Sequence, residues 1–147
     1  MDRIRIRPMK PADFADVTRL WKKTEGIGLT ISDTRTNLSR YLGRNPGLSL
    51  VALSGPEVVA AVICGHDGRR GSLGHLAVAK EFRRKNIASR LVELCLKRLK
   101  RLRIPKCNIF VYKSNSAGLK FWEAEGWKQR KDLLLFQKET RPGNARR

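Results

Sequence analysis

Polar and apolar residues alternate through Arg3-Ile4-Arg5-Ile6-Arg7, which reads as a half-buried edge strand ended by Pro8. Pro11-Ala12-Asp13 then opens a helix, with proline in its first turn and an acid set against the helix dipole. Phe14, Val17, Leu20 and Trp21 share one face, the stripe of a helix packed on a core. Gly26-Ile27-Gly28 breaks that helix and begins a flexible connection. Ser32-Asp33 is placed to cap a second helix through Thr34–Leu42, stopped by Gly43 and Asn45-Pro46-Gly47. Leu48–Leu53 and Val58–Cys64 are β-rich runs joined by Ser54-Gly55-Pro56-Glu57, a hairpin pattern. The glycine-rich turn Gly65-His66-Asp67-Gly68-Arg69-Arg70-Gly71 leads into a third run, Ser72–Ala79. Three adjacent antiparallel strands are therefore expected.

From Arg84 to Leu102 the period becomes helical, with Ile87, Ala88, Leu91, Val92, Cys95, Leu96 and Leu99 at three- and four-residue intervals. Ile104-Pro105 ends this helix and Cys107–Tyr112 reads as a strand. Strand, helix and strand in that order form a crossover, so Ser72–Ala79 and Cys107–Tyr112 are expected to run parallel. Ser114-Asn115-Ser116 offers a cap to a further helix with Leu119, Phe121 and Trp122 on its apolar face, and Gly126 terminates it. Trp127 onward and Leu133–Gln137 read as two closing strands around Lys131-Asp132. The pattern predicts one α/β domain over residues 1–138, without internal repeats, and a disordered tail over 139–147.

A chain of 147 residues, 41% hydrophobic and 31% charged, has the bulk of a single soluble domain. No apolar stretch approaches the ~20 residues of a membrane span, and the Met-Asp-Arg start has no signal-peptide core. Cys64, Cys95 and Cys107 lie in apolar runs and read as buried reduced thiols of a cytoplasmic protein. His66 and His75 add no metal-ligand spacing to them. The net charge of +19 predicts attraction to anions, whether nucleic acid, ribosome or a phosphorylated cofactor, unless it serves solubility alone.

Charge sharpens one stretch, Val78–Leu91. Over Arg83–Arg103 nine residues are Lys or Arg and only Glu93 is acidic. Along most of this helix that is a solvated face. At its start, however, Arg83, Arg84 and Lys85 oppose the helix dipole by a few tenths of a kcal/mol each, which an anionic partner would offset. A turn from strand into helix presents free backbone amides suited to phosphate. The spacing is neither G-x-G-x-x-G nor G-x-x-x-x-G-K-[ST], which sets aside the two common nucleotide loops.

With those residues in view, the chain over residues 3–138 resembles the GNAT family, the Gcn5-related N-acetyltransferases. The family's coenzyme motif, Arg/Gln-x-x-Gly-x-Gly/Ala between a strand and a long helix, stands here as Arg83-Arg84-Lys85-Asn86-Ile87-Ala88. A second motif stands as Asn115, Trp122 and Gly126-Trp127, and the opening Ile4-Arg5-Ile6-Arg7-Pro8 to Asp13-Phe14 is also the usual family start. The glycine-rich turn before the third strand is similar to that of a small bacterial subgroup of acetyltransferases.

The resemblance implies a mixed, mostly antiparallel sheet of six to seven strands with about four helices, and a splayed parallel pair at strands four and five. It implies acetyl-CoA as co-substrate. The pyrophosphate would lie on the turn of Arg83, Arg84, Lys85, Asn86, Ile87, Ala88 and Ser89, and the pantetheine arm along Leu76, Ala77 and Val78. Asn115 and Trp122 would border the same slot. Asn86 replaces the first motif glycine; asparagine is among the residues most tolerant of left-handed geometry. The Val78 amide would stabilise the oxyanion formed when an amine attacks the thioester. Many members carry a tyrosine as thiolate acid where Trp122 stands, and indole N–H is no usable acid. Tyr112 and Asp67 are therefore weighed as catalytic candidates, with His66 and His75 behind them. The leading expectation is an N-acetyltransferase acting on a protein N-terminus, a ribosomal protein or a small amine. The alternatives are a coenzyme-A-binding domain of weak turnover and a basic ribosome- or RNA-binding protein on the same fold.

Overall fold

The alternating N-terminal residues form β1 (Ile4–Pro8), the outer strand of a five-stranded sheet in a computed structural model that describes residues 3–141. The sheet order follows the chain: β1, β2 (Leu50–Ser54), β3 (Glu57–His66), β4 (Arg70–Val78) and β5 (Lys106–Ile109). All neighbours are antiparallel except β4 and β5, which run parallel. A short turn of 3-10 helix, Pro11–Asp13, precedes α1 (Phe14–Lys23), and α2 (Arg35–Arg44) follows before β2. α3 (Ile87–Arg101) crosses from β4 to β5, and α4 (Ser116–Ala124) follows β5.

Helices cover both faces, which is why β2 reads as an unbroken apolar run rather than an alternating one. Leu50 and Ala52 face a core built with Ile87, Leu91, Val92, Cys95 and Leu99 of α3. Val51 and Leu53 face the opposite core, where Val17, Leu20 and Trp21 of α1 meet Leu38 and Leu42 of α2. The apolar stripe of α1 thus packs as its spacing demands.

Several boundaries move for physical reasons. The cap of α2 is Thr34, whose hydroxyl accepts from the Asn37 amide at 3.1 Å, while Asp33 is engaged elsewhere. α2 continues through Gly43 to Arg44, with Asn45 as its C-cap. α3 begins only at Ile87 because Arg84 and Asn86 both take a left-handed φ of 62°. The two closing strands expected from Trp127 onward and at Leu133–Gln137 do not form, and among the described residues the sheet has five strands rather than six or seven. Leu133–Phe136 stay exposed, Phe136 at 87%. The turn between them is occupied by a bidentate Arg130–Asp132 pair at 2.8 and 2.9 Å. Strand propensity expresses fit to a pleated, half-buried surface, and this run meets none. The tail expected to be disordered falls, beyond Arg141, outside the described residues.

Cys64 and Cys95 are buried as expected, but Cys107, at the sheet edge on β5, is only half-buried. The Cys95 thiol and burial together hold Cys64 far above the ordinary thiol range, and burial pushes Cys107 up to about 12. No helix among the described residues is long and apolar enough to cross a membrane.

The start of the chain is tied down by Asp13. Its carboxylate takes two bonds from the Arg7 guanidinium, at 2.8 and 2.9 Å, and one from the Lys10 amide at 2.8 Å. Arg7 above all holds the Asp13 carboxyl below its usual range. A depressed folded-state pKa contributes stability that is full above the unfolded carboxyl range and lost as pH falls through the folded value. Asp13→Asn is expected to cost about 1.5–3 kcal/mol at pH 7. In urea unfolding over a pH series, the gap between variant and wild type should close as the solution is acidified below pH ~4.

Candidate functional site

The third strand of the central hairpins carries one residue too many. β3 and β4 pair Ala61 with Ala77 and Ile63 with Gly74, so His75 and Leu76 together oppose Val62. This is a β-bulge, and His75 takes φ 49° to make it. An extra residue reverses the facing of everything after it. Leu73 packs toward α3, and beyond the bulge Leu76 and Val78 pack there too while Ala77 turns toward α1. On its other side β4 pairs with β5 only from Arg70–Lys106 to Leu73–Ile109. Gly74–Val78 therefore lie along an open slot, with the backbone of Leu76, Ala77 and Val78 at its wall.

The slot leads into the β4–α3 turn. The Ala79 amide donates to the Val59 carbonyl at 2.8 Å, and a 3-10 turn over Lys80–Phe82 follows. The Arg83 side chain donates back to the Val78 carbonyl at 3.1 Å, fastening the turn to the strand end. Asn86 is the N-cap of α3, but its side chain makes no capping bond, and the Arg90 amide makes the first bond of the helix, to the Asn86 carbonyl at 3.0 Å. The first-turn amides of Ile87, Ala88 and Ser89 thus lie at an uncapped helix start. Two left-handed residues two apart, at Arg84 and Asn86, curve the chain so that successive amides converge. This combination of amides, helix dipole and cations suits a diphosphate. The Ser89 hydroxyl donates to Glu125 at 2.9 Å, linking α3 to the end of α4. On the α1 side of the strand end, a cavity of about 430 Å³ opens between Val78, Ala79, Arg83 and the α1 residues Arg19 and Lys23.

The connection between α1 and α2 bridges the slot. One end is held on β4, where Asp33 Oδ1 meets His75 Nε2 at 2.8 Å and the Trp21 indole donates to the His75 carbonyl at 2.8 Å. The other end rests on the segment after β5. A Cβ on Gly26 would overlap the Asn115 amide group, and one on Gly28 would overlap the Tyr112 hydroxyl. Glycine lets the backbone pass this close to both side chains, and at Gly26 it also takes φ 84°. Asn115 accepts from the Gly118 amide at 3.0 Å and so caps α4 while underlying this bridge.

Leu76, Ala77 and Val78 lie on the length of β4 that β5 leaves unpaired, the turn from Arg83 to Ser89 follows them, and Asn115 lies against Gly26 of the α1–α2 connection. Tyr112 stands beside it, 57% exposed, on the segment after β5 rather than on the strand. Trp122 is 8% exposed and packs edge-on against Phe121 and Trp127 within the core. Asp67 is not brought to this end of β4. It lies at the β3–β4 turn, about 25 Å away at strand rise, where its Oδ1 accepts from the Arg69 and Arg70 amides at 2.8 Å each. Those backbone bonds lower its pKa. His66 is spent on the Gly68 amide at 3.0 Å. Residue order had no means of showing the pairing of Asp33 with His75, since Asp33 also reads as a helix cap.

The profile of the Acetyltransferase (GNAT) family matches residues 14–127. An acetyltransferase of Sodalis glossinidius is 31% identical over 133 residues, covering 90% of this chain and 93% of its own. Among solved structures, the PaiA N-acetyltransferase of Thermoplasma acidophilum, in complex with coenzyme A, superposes with a TM-score of 0.75 at 22% identity, covering 86% of this chain and 90% of that one. The NatC complex bound to a Gag peptide and coenzyme A gives 0.76 at 22% identity, covering 89% and 87%.

Two substitutions probe the turn by isothermal titration with acetyl-CoA. Asn86→Gly is expected to keep or tighten binding, because glycine takes φ 62° without side-chain strain. Ala88→Glu places a carboxylate against the anion and is expected to abolish it.

Proposed function

This chain belongs to the GNAT family of N-acetyltransferases, and from that membership we propose that it acetylates an α-amine, on a polypeptide N-terminus or a small molecule. Acetyl-CoA is the co-substrate. The observation that carries the reading is the slot along Leu76–Val78, which runs unbroken into the amide-rich turn at Arg84–Ser89.

In this reading the diphosphate rests on the amides of Ile87, Ala88 and Ser89 with Arg84 and Lys85 adding charge, and the pantetheine arm lies along Leu76–Val78. Asn115 borders the arm. The Val78 amide faces the carbonyl oxygen as the amine attacks the thioester carbon, and the C–S bond breaks. Trp122, closed into the core, shapes the pocket, and the departing thiolate takes its proton from solvent.

The choice of an α-amine follows from the cost of supplying a neutral nucleophile. At pH 7 a lysine side chain pays about 4–5 kcal/mol to lose its proton, an α-amine near pKa 8 only about 1. Asp67 stands at the far turn and supplies no base at the Val78 end. The NatC structure holds a peptide together with coenzyme A on this fold, which supports room for a polypeptide acceptor.

Free-thiol release from acetyl-CoA across three acceptor sets tests the choice: peptides with a free α-amine, Nα-blocked peptides carrying lysine, and small primary amines. Turnover is expected with free α-amines and at least 10-fold slower with blocked lysine peptides. Equal or faster acetylation of the blocked peptides would overturn it.

A further inference from the structure

His75 is held more firmly than a bulge residue needs to be. A non-glycine residue at φ 49° is strained, and glycine would relieve it. Instead the position carries an imidazole fixed from two elements. From α1, the Trp21 indole bonds its carbonyl at 2.8 Å and stands edge-on to the ring at 5.0 Å. From the α1–α2 connection, Asp33 meets Nε2 at 2.8 Å. Asp33 is itself held, its second oxygen accepting from the Thr30 amide at 2.7 Å and the Thr30 hydroxyl at 3.3 Å.

An ionised carboxylate can only accept, so this pairing places an imidazole proton on Nε2 and, in the neutral ring, the lone pair on Nδ1. The ring is 21% exposed and the Asp33 side chain 15%, shielded but reachable. His75 also lies in the length of β4 that has parted from β5, immediately before Leu76 of the slot wall. Asp33 is the charged group placed against the ring. Trp21 from α1 stands edge-on to the ring, and Thr30 of the connection holds Asp33 in place.

We infer that His75 is the general base of the transfer and that Asp33 is the residue that positions it. This rests on the acetyltransferase reading of the slot. As the neutral amine nitrogen forms its bond to the acetyl carbon and the C–S bond breaks, Nδ1 takes the proton that the new amide nitrogen sheds. The thiolate takes a proton from water, and His75 returns its own to solvent. The products are an acetamide and the free thiol, with no net proton change from the neutral amine.

The test uses full-length protein and free-thiol release over a pH series, with the fastest acceptor of the three sets, or with water as acceptor where no amine is acetylated. Failure of the α-amine choice therefore leaves the test of His75 intact. His75→Gly keeps the backbone unstrained and opens space for added imidazole. Expected are a fall in kcat of about 10²-fold, unchanged acetyl-CoA affinity by titration calorimetry, loss of the acidic limb of the pH profile, and restoration of rate by millimolar imidazole. Asp33→Asn should lower kcat on the order of 10-fold and shift the same limb. Wild-type rate and profile in both variants, or a slow His75→Gly that keeps the limb and ignores imidazole, would overturn the assignment. Should His75→Gly fail to fold by circular dichroism, His75→Asn and Asp33→Asn over the same pH series decide it by the same limb.

Discussion

One extra residue in β4 governs the rest of the site. A regular strand would put Leu73, His75 and Ala77 on a single face. The bulge opposite Val62 lets Leu73 and Leu76 both reach the α3 core, and it turns His75 toward α1 and the α1–α2 connection. It also sets the facing of Val78 at the strand end. Close to the bulge, β4 loses β5 as a partner after Leu73. The geometry of one strand therefore produces the slot, its wall and its neighbouring histidine together.

What binds in the slot depends on the turn that follows. The first residues of α3 lie at an uncapped helix start, and capping by solvent or by an anion are the physical options for their amides. Arg84 and Asn86 in left-handed geometry delay the helix to Ile87, which lengthens the turn and concentrates its amides. The cations at that helix start oppose the dipole, a local cost that a bound diphosphate would offset. Stability and function pull apart at this turn, whereas the Arg7–Asp13 pair serves the fold, anchoring β1, the edge strand opposite β5, to the first turn.

The bridge between α1 and α2 links the two sides of the slot. Gly26 and Gly28 bring it against Asn115 and Tyr112, and Asp33 ties it to His75. In the sequence the two glycines read as helix breakers and Asp33 as a cap. Both interpretations were locally reasonable, because glycine ends helices and aspartate caps them. The deciding contacts lie 42 residues apart for Asp33 and His75. The closing strands are absent for a related reason: Leu133–Phe136 has strand propensity, but a strand exists only where an edge receives it.

Residue order by itself determined the amphipathic helices, the three antiparallel strands, the parallel crossover, the Asn115 cap and the cationic turn. Each of these is set by the side chains of near neighbours: the hydrophobic period, glycine at a left-handed end, proline in a first turn. Only tertiary structure decided that β4 carries a bulge, that β5 leaves it after Leu73 and that His75 is paired. Those features depend on register and on contacts between segments far apart in the chain, where several arrangements satisfy the same local preferences and packing selects one.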